Sequence, residues 1–186
     1  YATAIEIARP AGRAQRAMFS GHKRVNCMKF QSISLPDVLI LHMYGPIEGW
    51  RHDMTLYRMS CVDEELERGL LIEGTQYCVF GDPAYILTPY LLAAYKGGML
   101  SPEEREFNSS MSSVRVGVEW SFKEIKMHFT HCAFARKLKL RSTPVGLWYS
   151  VSAILSNFRA CIYGNQVSKY FGCCPPTLEE YINGEF

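Results

Sequence analysis

Two runs suited to a pleated backbone, Val25 to Leu35 and Val38 to Tyr44, flank a Pro36-Asp37 pair. Proline presets a turn and has no N–H for a ladder, and aspartate favours turn positions. Two antiparallel strands are the simplest outcome. The elements that follow alternate in type. Gly45-Pro46-Ile47-Glu48-Gly49 is expected to break the second strand, and Asp53 stands where an N-cap would start a helix over Met54 to Arg68, with Gly69 ending it. Gln76 to Phe80 reads as a short buried strand closed by Gly81-Asp82-Pro83.

A short helix is expected near Tyr90 to Tyr95. Ser101-Pro102-Glu103-Glu104 then supplies an N-cap, an N1 proline and first-turn acids for a long helix. Along it Val114, Val118, Phe122, Ile125 and Phe129 fall on one stripe, and Arg115, Glu119, Lys123 and Lys126 on another. Pro144 opens a last helix, on which Trp148, Val151, Leu155, Phe158 and Ile162 recur near helical spacing and are expected to pack on the sheet. The order predicts one mixed α/β unit over residues 1–172, with a tail rich in Gly, Pro and acid over 173–186.

A chain of 186 residues that is 48% hydrophobic has enough apolar material for a core of its own. Ser150, Ser152, Ser156, Asn157 and Arg159 interrupt its longest apolar stretch, Val145 to Tyr163, which is too polar for a membrane span. The first residue is Tyr1 and no signal peptide is visible, so the chain is expected to begin inside a longer protein. Seven scattered cysteines, with no Cys-x-x-Cys pair, argue for a reducing compartment over a disulfide framework.

Charge is unevenly spread. Residues 1–30 set six basic side chains against Glu6, and residues 123–141 set six against Glu124. The acid collects at Asp53, Asp63, Glu64, Glu65, Glu67 and Glu73. Clustered Lys and Arg permit a polyanion-binding face, and an ordinary solvated surface gives the same pattern.

Chemistry rests on two acids. Asp82 closes a strand, and Glu119 lies 37 residues further along on the polar face of the long helix. Carboxylates on separate elements can converge on metal, and two-metal phosphoryl transfer requires such a set. Spacing alone leaves open that Asp82 starts its turn and that Glu119 pairs with Arg115 and Lys123 on the surface. Asp53 is read as the N-cap. Glu124, His128, His131 and Cys132 have spacings that a zinc site could use but lack a fourth strong ligand.

Gly81-Asp82-Pro83-Ala84-Tyr85 resembles the second-aspartate motif of PIF/Harbinger-type DDE transposases, and Val118-Glu119-Trp120-Ser121-Phe122 resembles their glutamate motif. Also similar, in family order over nearly the whole chain, are Ser20 to Arg24, Gly45 to Asp53, Phe107-Asn108 leading to Arg115, and Pro175 to Tyr181. The resemblance implies a ribonuclease-H-like α/β fold with a mixed sheet flanked by helices and its first strand truncated. It also implies Mg²⁺- or Mn²⁺-dependent cleavage and transfer of DNA strands, with Asp82 as the second metal ligand and Glu119 as the third. Arg13, Arg16, His22, Lys23 and Arg24, in a basic loop beside the expected centre, would contact DNA phosphates.

The family's first acid sits in an Asp-Gly-Thr string, and the counterpart here is Tyr1-Ala2-Thr3. Tyr1 holds the aspartate's place, through loss of the acid or through the chain's boundary. A phenol, neutral near pH 7, does not replace a bridging carboxylate. The expectation is therefore a transposase-derived endonuclease domain with weak metal binding and poor cleavage. The rival is a non-catalytic DNA- or protein-binding remnant. Family precedent adds a nuclear location and, with no helix-turn-helix in this chain, a Myb-like partner for sequence-specific DNA reading.

Overall fold

The computed structural model describes residues 1–72 and 74–184. Glu73, counted above in the acidic cluster, lies outside them. The architecture is mixed α/β, an antiparallel sheet with flanking helices. Its centre is β3 (Val25–Ser34), which pairs antiparallel with β1 (Ala2–Glu6) and with β4 (Ile40–Glu48). A short helix, α1 (Arg13–Met18), and the two-residue β2 (Phe19–Ser20) occupy the stretch expected to be an irregular loop.

Strand alternation decides what each face of the sheet meets. On one face Met28 and Phe30 of β3 join Ile5 and Ile7 of the first segment in the main core, against Ile125 and Tyr149 from two helices. The Phe30 and Tyr149 rings lie 4.6 Å apart. On the other face Lys29 and Gln31 reach Asp53 and Ser60, the ends of α2 (Asp53–Ser60). β3 is thus covered on both sides.

Several sequence expectations need correction. The second strand does not stop at Gly45. It runs to Glu48 because the register shifts between Lys29 and Gln31, which absorbs Gly45 and Pro46 without demanding a ladder bond from proline. The helix expected over Met54 to Arg68 is two, α2 and α3 (Val62–Gly69), broken at Cys61, whose backbone is left-handed at φ 52°. Asp53 is not the N-cap, a position His52 holds. Its carboxylate pairs with Lys29 at 2.8 Å instead.

Gln76 to Phe80 is not one buried strand. β5 (Leu71–Ile72) and β6 (Thr75–Gln76) form a small antiparallel pair, and β7 (Val79–Phe80) pairs parallel with β8 (Leu91–Leu92). β8 lies where a short helix was expected. The long helix is present as α4 (Pro102–His128). Ser101 accepts from Glu104 N–H while the Glu104 side chain accepts from Ser101 N–H, which satisfies two donors at the helix start.

The last long helix, α5 (Val145–Tyr163), turns the opposite face to the one expected. Val145, Tyr149, Ser152, Ala153, Asn157 and Ala160 are buried, whereas Trp148, Val151, Leu155 and Ile162 are 39–55% exposed and Phe158 is half-buried against Tyr181. Small side chains on the inner face allow close approach. A Cβ on Gly146 would come within 2.6 Å of Pro46 in β4. Asn157 accepts from the Ile40 N–H and donates to the Ile40 C=O, each at 2.9 Å, tying the helix to the edge strand. The chain closes with α6 (Gln166–Phe171) and α7 (Leu178–Asn183). Among the described residues no helix is long and apolar enough to cross a membrane.

Candidate functional site

Three local arrangements bring residues 1, 82 and 119 together. Along the first segment the two-residue period that sends Ile5 and Ile7 into the core also sends Tyr1 to the α4 side of the sheet. Tyr1 and Ser32 exchange both backbone hydrogen bonds at 2.8 Å, so the ladder fixes its position. Asp82 follows β7. Its Oδ1 accepts the Ala84 N–H at 2.9 Å, and its backbone carbonyl accepts the Tyr85 N–H at 3.0 Å. The Tyr85 ring, only 5% exposed, anchors this turn in a second core with Tyr57, Val62, Leu66 and Leu91. Glu119 projects from the middle of α4.

Arg115, one turn before Glu119, joins them. Its Nη1 lies 3.3 Å from Asp82 Oδ2 and its Nη2 lies 3.7 Å from Glu119 Oε1. The same Nη1 is 3.4 Å from the Tyr1 hydroxyl, and the guanidinium carbon lies 5.5 Å from the Tyr1 ring centroid. Tyr1 in turn donates to Glu119 Oε1 at 2.9 Å. Burial, followed by the bond to Glu119, pushes the Tyr1 phenol up to about 12, opposed by Arg115. The phenol is therefore neutral at physiological pH.

Asp82 and Glu119 thus share Arg115, and the turn-forming role of Asp82 coexists with that contact because each of its carboxylate oxygens has a different partner. By helical spacing Arg115 pairs only with Glu119. Its reach to Asp82 crosses 33 positions and leaves no trace in local spacing.

A pair of divalent ions does not fit this centre as it stands. One Mg²⁺ commonly takes one or two carboxylates and completes its shell with water and phosphate. Here both carboxylates face a guanidinium, and the group bonded beside them is a neutral phenol. Among the described residues no group of three or more His, Cys, Asp and Glu side chains could hold a metal. His131 and Cys132, considered for zinc, approach the Ser152 hydroxyl at 3.2 and 3.4 Å.

Arg13, Arg16, His22, Lys23 and Arg24 are all exposed, on α1 and in the turn before β3. Among the described residues, no hydrogen bond or ion pair links them to Tyr1, Asp82 or Glu119.

A family model described as DDE superfamily endonuclease matches residues 1–157. That span includes Tyr1, Asp82, Arg115 and Glu119, and the mixed α/β architecture is consistent with the ribonuclease-H-like fold of that family. DDE nucleases generally use divalent metal ions and act on DNA. No curated protein and no solved structure matches the chain.

Proposed function

Because this chain belongs to the DDE superfamily endonuclease family, we propose that it is a DNA-acting domain of PIF/Harbinger transposase descent whose metal-dependent phosphodiester chemistry is impaired. One observation carries the reading. Arg115 stands between Asp82 and Glu119, and the Tyr1 hydroxyl bonds to Glu119 where a third carboxylate is expected.

Two-metal cleavage stabilises the attacking and the leaving oxygen with divalent charge. The residues present supply one fixed positive charge from a side chain and a neutral hydroxyl. They can orient a phosphate through Arg115, which is 29% exposed, but they do not supply the charge that a leaving alkoxide requires. Asp82 and Glu119 are the inherited ligand positions. Arg13, Arg16, His22, Lys23 and Arg24 would position the DNA backbone without reading sequence. The motif resemblance supports a nuclear location and a Myb-like partner that reads the target.

Mn²⁺ titration followed by electron paramagnetic resonance tests this, beside Mg²⁺-dependent nicking of supercoiled DNA. The unaltered chain is expected to bind Mn²⁺ weakly and to nick poorly. Tyr1→Asp should bind it more tightly, and Asp82→Ala should abolish that gain. Tight Mn²⁺ binding with efficient nicking by the unaltered chain would overturn the proposal. Metal-independent DNA binding by every variant, without nicking by any, would favour the non-catalytic remnant, for which Tyr1 is the specific support.

A further inference from the structure

The helix that carries Glu119 also forms one wall of a cleft that none of Tyr1, Asp82, Arg115 and Glu119 lines. Between α4, the end of α5 and α6 lies a cavity of about 520 Å³. Its wall carries Lys123, Arg159 and Lys169, with one carboxylate, Glu124, that burial pushes upward. Two of the cations sit over aromatic rings. Lys123 Nζ is 5.2 Å from the Trp120 ring centroid, and the Arg159 guanidinium carbon is 5.5 Å from that of Tyr163. Trp120 is 40% exposed and Tyr163 is 73% exposed, so neither ring is used up by the protein's own packing.

Trp120 also borders a second hollow of about 410 Å³, lined by Val116, Gly117, Val167 and Phe171. Gly117 permits that approach of α6 to α4, since a Cβ there would come within 3.1 Å of Phe171 and 3.2 Å of Val167. The two hollows meet at Trp120. One side offers fixed positive charge, the other an apolar recess, and a ring stands at the boundary.

We infer that this cleft binds unpaired DNA, with a base stacked on Trp120 toward the apolar recess and the adjoining phosphates held by Lys123, Arg159 and Lys169. A single strand presents both chemistries to one surface. Sequence-tolerant single-strand binding combines a basic track with aromatic stacking platforms in this way. A duplex keeps its bases paired and offers the cleft only phosphates. Lys123 lies one helical turn, roughly 6 Å, beyond Glu119 on the same helix face. The cleft therefore adjoins the centre closely enough to hold a strand displaced from it. The inference rests on the DNA-acting reading above.

Fluorescence anisotropy with a labelled oligothymidylate and a duplex of equal length, both in EDTA, provides the test. The unaltered chain should prefer the single strand. Trp120→Ala should weaken single-strand binding about tenfold, the size of one lost base–aromatic stack, with little effect on the duplex. Trp120→Phe should retain most of the affinity, and a matched melting temperature shows that each variant is folded. Lys169→Ala should reduce the salt slope for the single strand by about 0.7, one phosphate contact.

Trp120→Ala binding the single strand as the unaltered chain does, while folded, overturns the inference, as does an unaltered chain that prefers the duplex. Failure of the unaltered chain to bind either form would instead remove the DNA-acting reading itself.

Discussion

Tyr1 donates its phenolic hydroxyl to Glu119 Oε1 at 2.9 Å, a bond that spans 118 positions and joins the edge of the sheet to the middle of the longest helix. It places an uncharged group beside the Glu119 carboxylate, and Arg115 closes the arrangement toward Asp82.

The Tyr1 bond makes alkaline stability a direct readout. The folded phenol is raised from its ordinary value of 10.0 to about 12, by burial first and by Glu119 second. A raised folded pKa means that the unfolded chain loses its proton first. The contribution of Tyr1 is fully present below pH 10 and declines as pH rises toward about 12. Tyrosinate absorbance of the unaltered chain minus that of Tyr1→Phe should show this late-titrating phenol. A difference spectrum centred at the ordinary value would contradict the bond.

Arg115→Ala should expose the carboxylate pair. Its ion pairs are partly solvent-exposed, with side-chain exposures of 29% for Arg115, 32% for Asp82 and 47% for Glu119. Solvent screening keeps the stability cost near or below about 1 kcal/mol. With the guanidinium gone, the two acids repel, and Mn²⁺ affinity is expected to rise. Paramagnetic resonance and thermal melting measure the two effects, and an unchanged Mn²⁺ affinity would show that Arg115 is not what limits metal binding.

Asn157→Ala should cost far more, although it touches no candidate site. Asn157 is 3% exposed and serves both backbone groups of Ile40, and its amide also donates to the Tyr181 hydroxyl at 2.8 Å. Truncation strands partly buried polar groups, at roughly 2–4 kcal/mol in total. Urea denaturation should show a lower midpoint with little change in slope. A loss under about 0.5 kcal/mol would mean that water replaces these bonds without penalty.

Gly146→Ala is expected to destabilise despite alanine's better helix propensity, worth about 1 kcal/mol. The new methyl would meet Pro46 Cδ at 2.6 Å and Cγ at 2.8 Å, both ring atoms with little freedom to yield. Overpacking of this kind costs about 1–3 kcal/mol and outweighs the propensity gain. Calorimetry should show a lower melting temperature. A rise would mean that α5 can move away from β4.

Local patterns in the chain marked the paired strands β3 and β4 and the capping box that begins α4. Each depends on neighbours within a turn or a strand, where backbone sterics and side-chain caps act over a few residues. The inner face of α5 was not legible in the same way. The larger apolar side chains form a regular stripe, but packing against β4 selected the stripe with Gly146, Ala153 and Asn157, which permits closer contact and satisfies an edge strand. Likewise Asp53 has the sequence position of a cap, and only the fold brings Lys29 to it at 2.8 Å. The bridging of Asp82 and Glu119 by Arg115, and the seating of Tyr1 on Glu119, join segments far apart in the chain. Coulomb attraction and hydrogen bonding act through space, so the tertiary structure alone decided those partners.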